Sequence, residues 1–181
     1  MTVMVAEEMR TSAVEREFTA FVAAHGRRLI HTADLLCGDL HLAEDLVQTA
    51  LAKLYLVSER VGDPAAYAHR ILVNTRHDSF RRRRWREITT DDPPDTTATA
   101  DATEEIDRRA VVLAALATLA PRERAVVVLR YYGDQSEADT AAALGVRAGT
   151  VKATCSRALA KLRESGHLDS LNPRATHGDR R

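Results

Sequence analysis

"SEADTAAALGVRAGTVKATCSRALAKLR", Ser136 to Arg163, decides how the rest of the chain is read. Its first third predicts a short helix, Glu137 to Leu144. Ser136 caps it, and Asp139 stands three residues on where a capping box prefers Glu or Gln. Gly145 stops that helix, and a short turn leads into a longer one from about Ala148 to Glu164. On the longer helix Val151, Ala158, Leu159 and Leu162 recur at helical spacing, while Lys152, Ser156, Arg157 and Arg163 spread over the remaining surface. A short helix, a glycine-bearing turn and a longer basic helix form the helix-turn-helix pattern. A helix fits the major groove, residues near its N-terminus reach base edges, and flanking cations neutralise phosphates. The plainer reading is an amphipathic helix pair with a solvated basic face. The absence of any acid across the 17 residues Arg147 to Arg163 counts against it.

Outward from this stretch, composition predicts an all-α protein. The chain has 181 residues, 45% hydrophobic and 4% aromatic, and good helix formers dominate. Val/Ile/Thr alternation of strand type is absent. No apolar run is long enough to cross a membrane, and the acidic N-terminus lacks the pattern of an export signal, so the expected location is cytoplasmic. Two distant cysteines, Cys37 and Cys155, do not make a disulfide framework.

Charge divides the chain where its sum does not. Lys plus Arg equals Asp plus Glu at 26 each. Yet Arg70, Arg76, Arg81, Arg82, Arg83, Arg84 and Arg86 crowd one segment around the only tryptophan, Trp85. Asp91, Asp92, Asp95, Asp101, Glu104 and Glu105 then follow without a base. The Thr-, Asp- and Pro-rich residues 88–105 read as a flexible acidic linker between two helical modules. The expected organisation is an N-terminal tail over 1–13, a first module over 14–87, the linker over 88–105, a second module over 106–165 and a C-terminal tail over 166–181. In the first module a helix from Val14 to Leu36 ends near Gly38, and a second runs from about Leu42 to Val57. A third begins at Pro64 with Asp63 as N-cap and continues into the arginine run.

"LAPRERAVVVLRYYGDQSEADTAAALGVRAGTVKATCSRALAKLR" closely resembles region four of the extracytoplasmic-function (ECF) sigma factors. "AEDLVQTALAKLY" (Ala43 to Tyr55) and "AYAHRILVNTRHDSFRRRR" (Ala66 to Arg84) resemble their region two. The wording "LRYY" and "SRALAKLR" is most similar to the actinobacterial SigE-like subgroup. The resemblance implies two small helical domains, region two and region four, and partners in core RNA polymerase (β′ clamp and β flap), promoter DNA and an anti-sigma factor. It implies that Glu44, Asp45, Leu46 and Gln48 dock on the β′ clamp. Arg70, Asn74 and Arg81, Arg82, Arg83 and Arg84 then engage the −10 element, Asn74 as the sequence-sensitive contact and the arginines on phosphates. Arg147, Thr150, Lys152, Ser156 and Arg157 fall at positions facing the −35 element.

The chain departs from the family pattern at several points. Asp139-Thr140 replaces Glu-Ile and places a hydroxyl at a core position. Arg147 replaces a capping Ser, which weakens the start of the recognition helix. Thr49-Ala50 replaces Glu-Thr, and Ala153 replaces a common Ser. No nucleotide-binding, nucleophile-elbow or zinc motif is present, so neither enzymatic activity, a cofactor nor a metal is expected. His31, Cys37 and His41 match no zinc spacing. The alternative is a helix-turn-helix regulator that does not act as a sigma subunit; the "AEDLVQ" segment and Asn74 speak against it.

Overall fold

The computed structural model describes the backbone of residues 2–86 and 103–166. Side chains are described over 13–75, Glu59 excepted, and over 107–166. The linker expected over 88–105 and the C-terminal tail therefore lie largely outside the described residues, as does the Trp85 side chain. Every regular element among the described residues is helical: α1 (Thr2–Cys37), α2 (Leu40–Tyr55), a 3-10 turn (Ser58–Arg60), α3 (Pro64–Arg86), α4 (Thr103–Ala117), α5 (Pro121–Tyr131), α6 (Glu137–Leu144) and α7 (Ala148–Glu164).

Local chemistry sets most of these limits. Gly38 takes a left-handed φ of 78° and ends α1, its N–H donating to Asp34 O (2.7 Å). The Asp39 carboxylate accepts from Leu42 N (3.0 Å) and starts α2. Asp63 caps α3 through Ala66 N (2.9 Å), with Pro64 as the first helical residue, as expected. Two limits differ from the expectation. Helix α1 begins at Thr2, because residues 2–13 contain neither Gly nor Pro and are rich in Ala, Glu and Met. Helix α4 begins at Thr103, so Glu104 and Glu105 open a helix whose positive N-terminal end they suit, rather than closing a linker.

Helix α1 is the spine. On it α2 and α3 bury Leu29, Leu36, Leu46, Leu54 and Leu72, while α5, α6 and α7 gather Leu116, Val128, Leu129, Ala158 and Leu162. One continuous apolar cluster draws on both modules, and a smaller one of Val126, Ala141 and Val151 joins α5 to the helix-turn-helix. The modules thus pack directly on each other: α5 and α4 against α1, and α6 against α3.

The seam between them is polar and specific. The Arg109 guanidinium forms a fork on Asp34, Nε to Oδ2 at 2.7 Å and Nη2 to Oδ1 at 2.6 Å, with the Asp34 side chain only 5% exposed. Arg124 Nη1 donates to Leu36 O (3.5 Å), Arg28 pairs with Asp134 (3.4 Å), and His31 stands edge-on to the Tyr132 ring at 5.4 Å. His69 of α3 is buried against Gly133, in the turn between α5 and α6.

His69 Nδ1 lies 2.8 Å from Ala65 O and donates to it, whereas Nε2 has no hydrogen-bond partner among the described residues. Burial pushes its pKa below the ordinary 6.5, with Arg28 and His25 adding to the effect and Ala65 O and Asp63 opposing it. The packed state therefore holds His69 neutral, and the unfolded state binds the extra proton. Stability is complete above about pH 6.5 and falls as pH drops below it toward the lowered value. Melting temperature should decline between about pH 7.5 and about pH 5.5, and His69→Gln should flatten that part of the profile. An unchanged slope in the variant would remove His69 as its source.

Candidate nucleic-acid interface

The helix-turn-helix is assembled by three adjoining devices. Ser136 accepts from Asp139 N (3.0 Å) and its hydroxyl donates to the Asp139 carboxylate, which fixes the entry to α6. Gly145 exits at φ 63°, and Val146 N returns to Ala141 O (2.9 Å), closing the left-handed helix end. Gln135 organises the preceding turn: its N–H donates to Leu129 O (3.0 Å), its amide nitrogen to Gly133 O (3.1 Å), and Arg130 donates to its carbonyl. Thr140 is fully buried with its Oγ1 unpartnered among the described residues, so the hydroxyl that replaces a core aliphatic group is an uncompensated one.

Helix α7 buries Val151, Thr154, Ala158 and Leu162 and exposes Thr150, Lys152, Ala153, Ser156 and Arg157. Arg147 occupies its N-cap in extended conformation, exposed, with no side-chain cap bond, as the sequence implies. Cys155 is half-buried beside Tyr131, whose hydroxyl it pushes to higher pKa. Lys161 is turned inward to α5, its Nζ 2.8 and 2.9 Å from the two Glu123 oxygens. The same Glu123 carboxylate accepts from Ala120 N (3.0 Å), and these bonds, Lys161 first, hold its pKa below the ordinary range.

Arg70 and Asn74 are both exposed and lie one turn apart on α3, on either side of the buried run Ile71, Leu72 and Val73. The backbone of α3 continues through Arg81, Arg82, Arg83 and Arg84, whose side chains lie outside the described residues. On α2 and its C-cap, His41, Glu44, Asp45, Gln48, Ala52, Tyr55 and Leu56 form a single exposed stripe. Leu46 does not belong to it. It is 3% exposed and packs in the core, because it lies on the opposite face from Glu44 and Gln48. Leu40, Tyr55 and Leu56 are the large apolar groups the sequence reading missed: they are 47%, 41% and 81% exposed and border the acidic stripe. Their signal was present in the spacing, since Tyr55 and Leu56 follow Gln48 by seven and eight residues.

Two family models match this arrangement: "Sigma-70 region 2" over residues 21–86 and "Sigma-70, region 4" over residues 109–162. An RNA polymerase sigma-E factor of Streptomyces antibioticus is 41% identical over 170 residues, 91% of this chain and 93% of that protein. This chain belongs to the sigma-70 family, in its extracytoplasmic-function group. An ECF sigma factor of Mycobacterium tuberculosis, SigM, is 34% identical over 157 residues, 84% of this chain and 79% of that protein. Among solved structures, the sigma factor RpoE of Bartonella quintana, in complex with the anti-sigma factor NepR, matches at TM-score 0.64 and 25% identity. That match covers 82% of this chain and 96% of the other. CnrH, in complex with the cytosolic domain of CnrY, matches at TM-score 0.63 and 26% identity, over 87% and 91% of the two chains.

As a sigma factor the protein has RNA polymerase and promoter DNA as its partners, and it serves transcription initiation. Among the described residues no helix is long and apolar enough to cross a membrane, and no group of three or more His, Cys, Asp or Glu is placed to hold a metal ion.

Proposed function

We propose that this sigma factor grips core polymerase with the exposed stripe of α2 and reads its promoter with two further faces, one on α3 and one on α7. Glu44, Asp45 and Gln48 present the polar contacts to the β′ clamp, and Tyr55 and Leu56 the apolar ones, while Leu46 holds the helix in place from below. Asn74 offers both a donor and an acceptor to a base edge at the −10 element, and Arg70 neutralises a phosphate beside it. At the −35 element Lys152, Ser156 and Arg157 face the groove, with Thr150 and Arg147 at the helix start. Region four also meets the β flap. The protein supplies recognition only and carries out no reaction of its own. It works in the cytoplasm, where an anti-sigma factor of the kind bound to its structural neighbours restrains it.

The observation that carries this reading is the exposed surface from Arg147 to Arg163, which carries no acid and whose apolar side is fixed by α5 and α6. In vitro transcription with core polymerase on a genomic library tests it: specific transcripts above core alone are expected. Asp45→Ala should weaken holoenzyme formation by about 1 kcal/mol, roughly fivefold, with DNA contacts of the assembled complex unchanged. Titration of labelled protein with core enzyme reads this directly, and an unchanged midpoint would move the polymerase contact off Asp45.

A further inference from the structure

The two DNA-facing helices are close together in this structure. Helix α6 packs against α3 on one side and α7 on the other. At 8–10 Å per helix packing, the axes of α3 and α7 lie within about 20 Å of each other, and α7 itself, 17 residues long, spans only about 26 Å. Promoter positions −35 and −10 are about 25 base pairs apart, or roughly 85 Å of straight duplex at about 3.4 Å per step. One chain cannot touch both in the packed form. The connection at residues 87–102 can reach at most about 55 Å when fully extended, so the modules can part without unwinding a helix.

We propose that the packed arrangement is an autoinhibited state of the free protein, and that the Asp34–Arg109 fork is the latch that sets how often it opens. The inference rests on the sigma-factor reading, which requires one chain to reach both elements. The fork joins residues 75 positions apart, one on the spine of the first module and one on the first helix of the second. Asp34 is buried in α1 and Arg109 is 37% exposed. That asymmetry gives the latch a signature. Arg109→Ala leaves a carboxylate buried and uncompensated in the closed state, whereas the open state hydrates it. Asp34→Ala leaves a guanidinium that water already reaches. Opening should therefore respond more to the loss of Arg109 than to the loss of Asp34. Removing both should be no worse than removing Arg109 alone. The neighbouring Arg28–Asp134 pair is exposed and contributes less, and the contact of His31 with the half-buried Tyr132 ring aligns the seam without a charge pair.

The test places dyes on Ala23→Cys in α1 and Ala160→Cys in α7, both exposed positions, with Cys37→Ser and Cys155→Ser in the same full-length chain. Single-molecule energy transfer then reads the closed and open populations. Arg109→Ala should raise the open-to-closed ratio at least tenfold. The sigma concentration giving half-maximal promoter-dependent transcription should fall with the gain in competent fraction. Arg109→Lys, which keeps charge but loses the fork, should lie between. If Arg109→Ala loses its helical circular dichroism, the double variant Asp34→Ala/Arg109→Ala, with no buried charge, carries the same test. An unchanged distance distribution overturns the latch. Opening without a change in half-maximal concentration overturns the autoinhibition. A wild-type protein giving no promoter-dependent transcript overturns the sigma reading and this inference with it.

Discussion

Gly133→Ala should destabilise the protein by about 1–3 kcal/mol and loosen the seam between the modules. An added Cβ would lie 2.9 Å from Leu129 O and 3.1 Å from His69 Nε2. The first contact is with backbone that is itself engaged, since Leu129 O accepts from Gln135 N, so neither side can retreat without disturbing the turn. Chemical denaturation measures the loss. Gly62→Ala is the control: nothing lies within 4 Å of its Cβ, and it should fall within about ±0.5 kcal/mol of wild type. Combining Gly133→Ala with His69→Ala should recover only part of the loss, because the shorter approach is to the main chain. Full recovery would show that the ring, not the carbonyl, sets the limit.

Arg157→Ala should lower promoter affinity of the assembled holoenzyme by about 1–3 kcal/mol, roughly 5- to 150-fold, and leave core binding unchanged. Its guanidinium is exposed near the middle of α7, with a 3.4 Å bond from Nε to Ala153 O, a long local contact that leaves it able to reorient toward DNA. If it reads a base, the loss is confined to templates with an intact −35 element. A similar loss on a scrambled −35 element would assign it to a phosphate instead. Paired with Asp45→Ala, it forms a double dissociation. Equal loss of core binding in both variants would contradict the division of labour between α2 and α7.

Much of this fold could be read in the chain because its punctuation is local. Ser136, Asp63–Pro64 and Gly145 act on backbone groups within three or four residues of themselves, so their effect is visible in sequence. Helix α1 extends further than the expected start at Val14 for a related reason: residues 2–13 carry no breaker. Within "AEDLVQ", one motif mixes surface and core. Glu44, Asp45 and Gln48 point outward, while Leu46 points inward, and helical period separates them better than motif membership does. The seam could not be read at all. Arg109 has no local mark distinguishing it from other helix-surface arginines, and Asp34 reads as a polar interruption of an apolar face. Their pairing follows only from the docking of two modules separated by a long stretch of sequence.

The Glu123–Lys161 pair has a further consequence for the energetics of DNA binding. Five bases lie between Arg147 and Arg163, and a simple tally would credit each with displacing condensed cations from the duplex. Lys161 is already neutralised within the protein by Glu123. If that bond persists in the complex, Lys161 releases no counterion. The slope of log affinity against log salt contributed by region four is then shallower by about 0.9 than the tally gives. Glu123 fastens the recognition helix to its support, and one cation is withdrawn from the electrostatic footprint to do it.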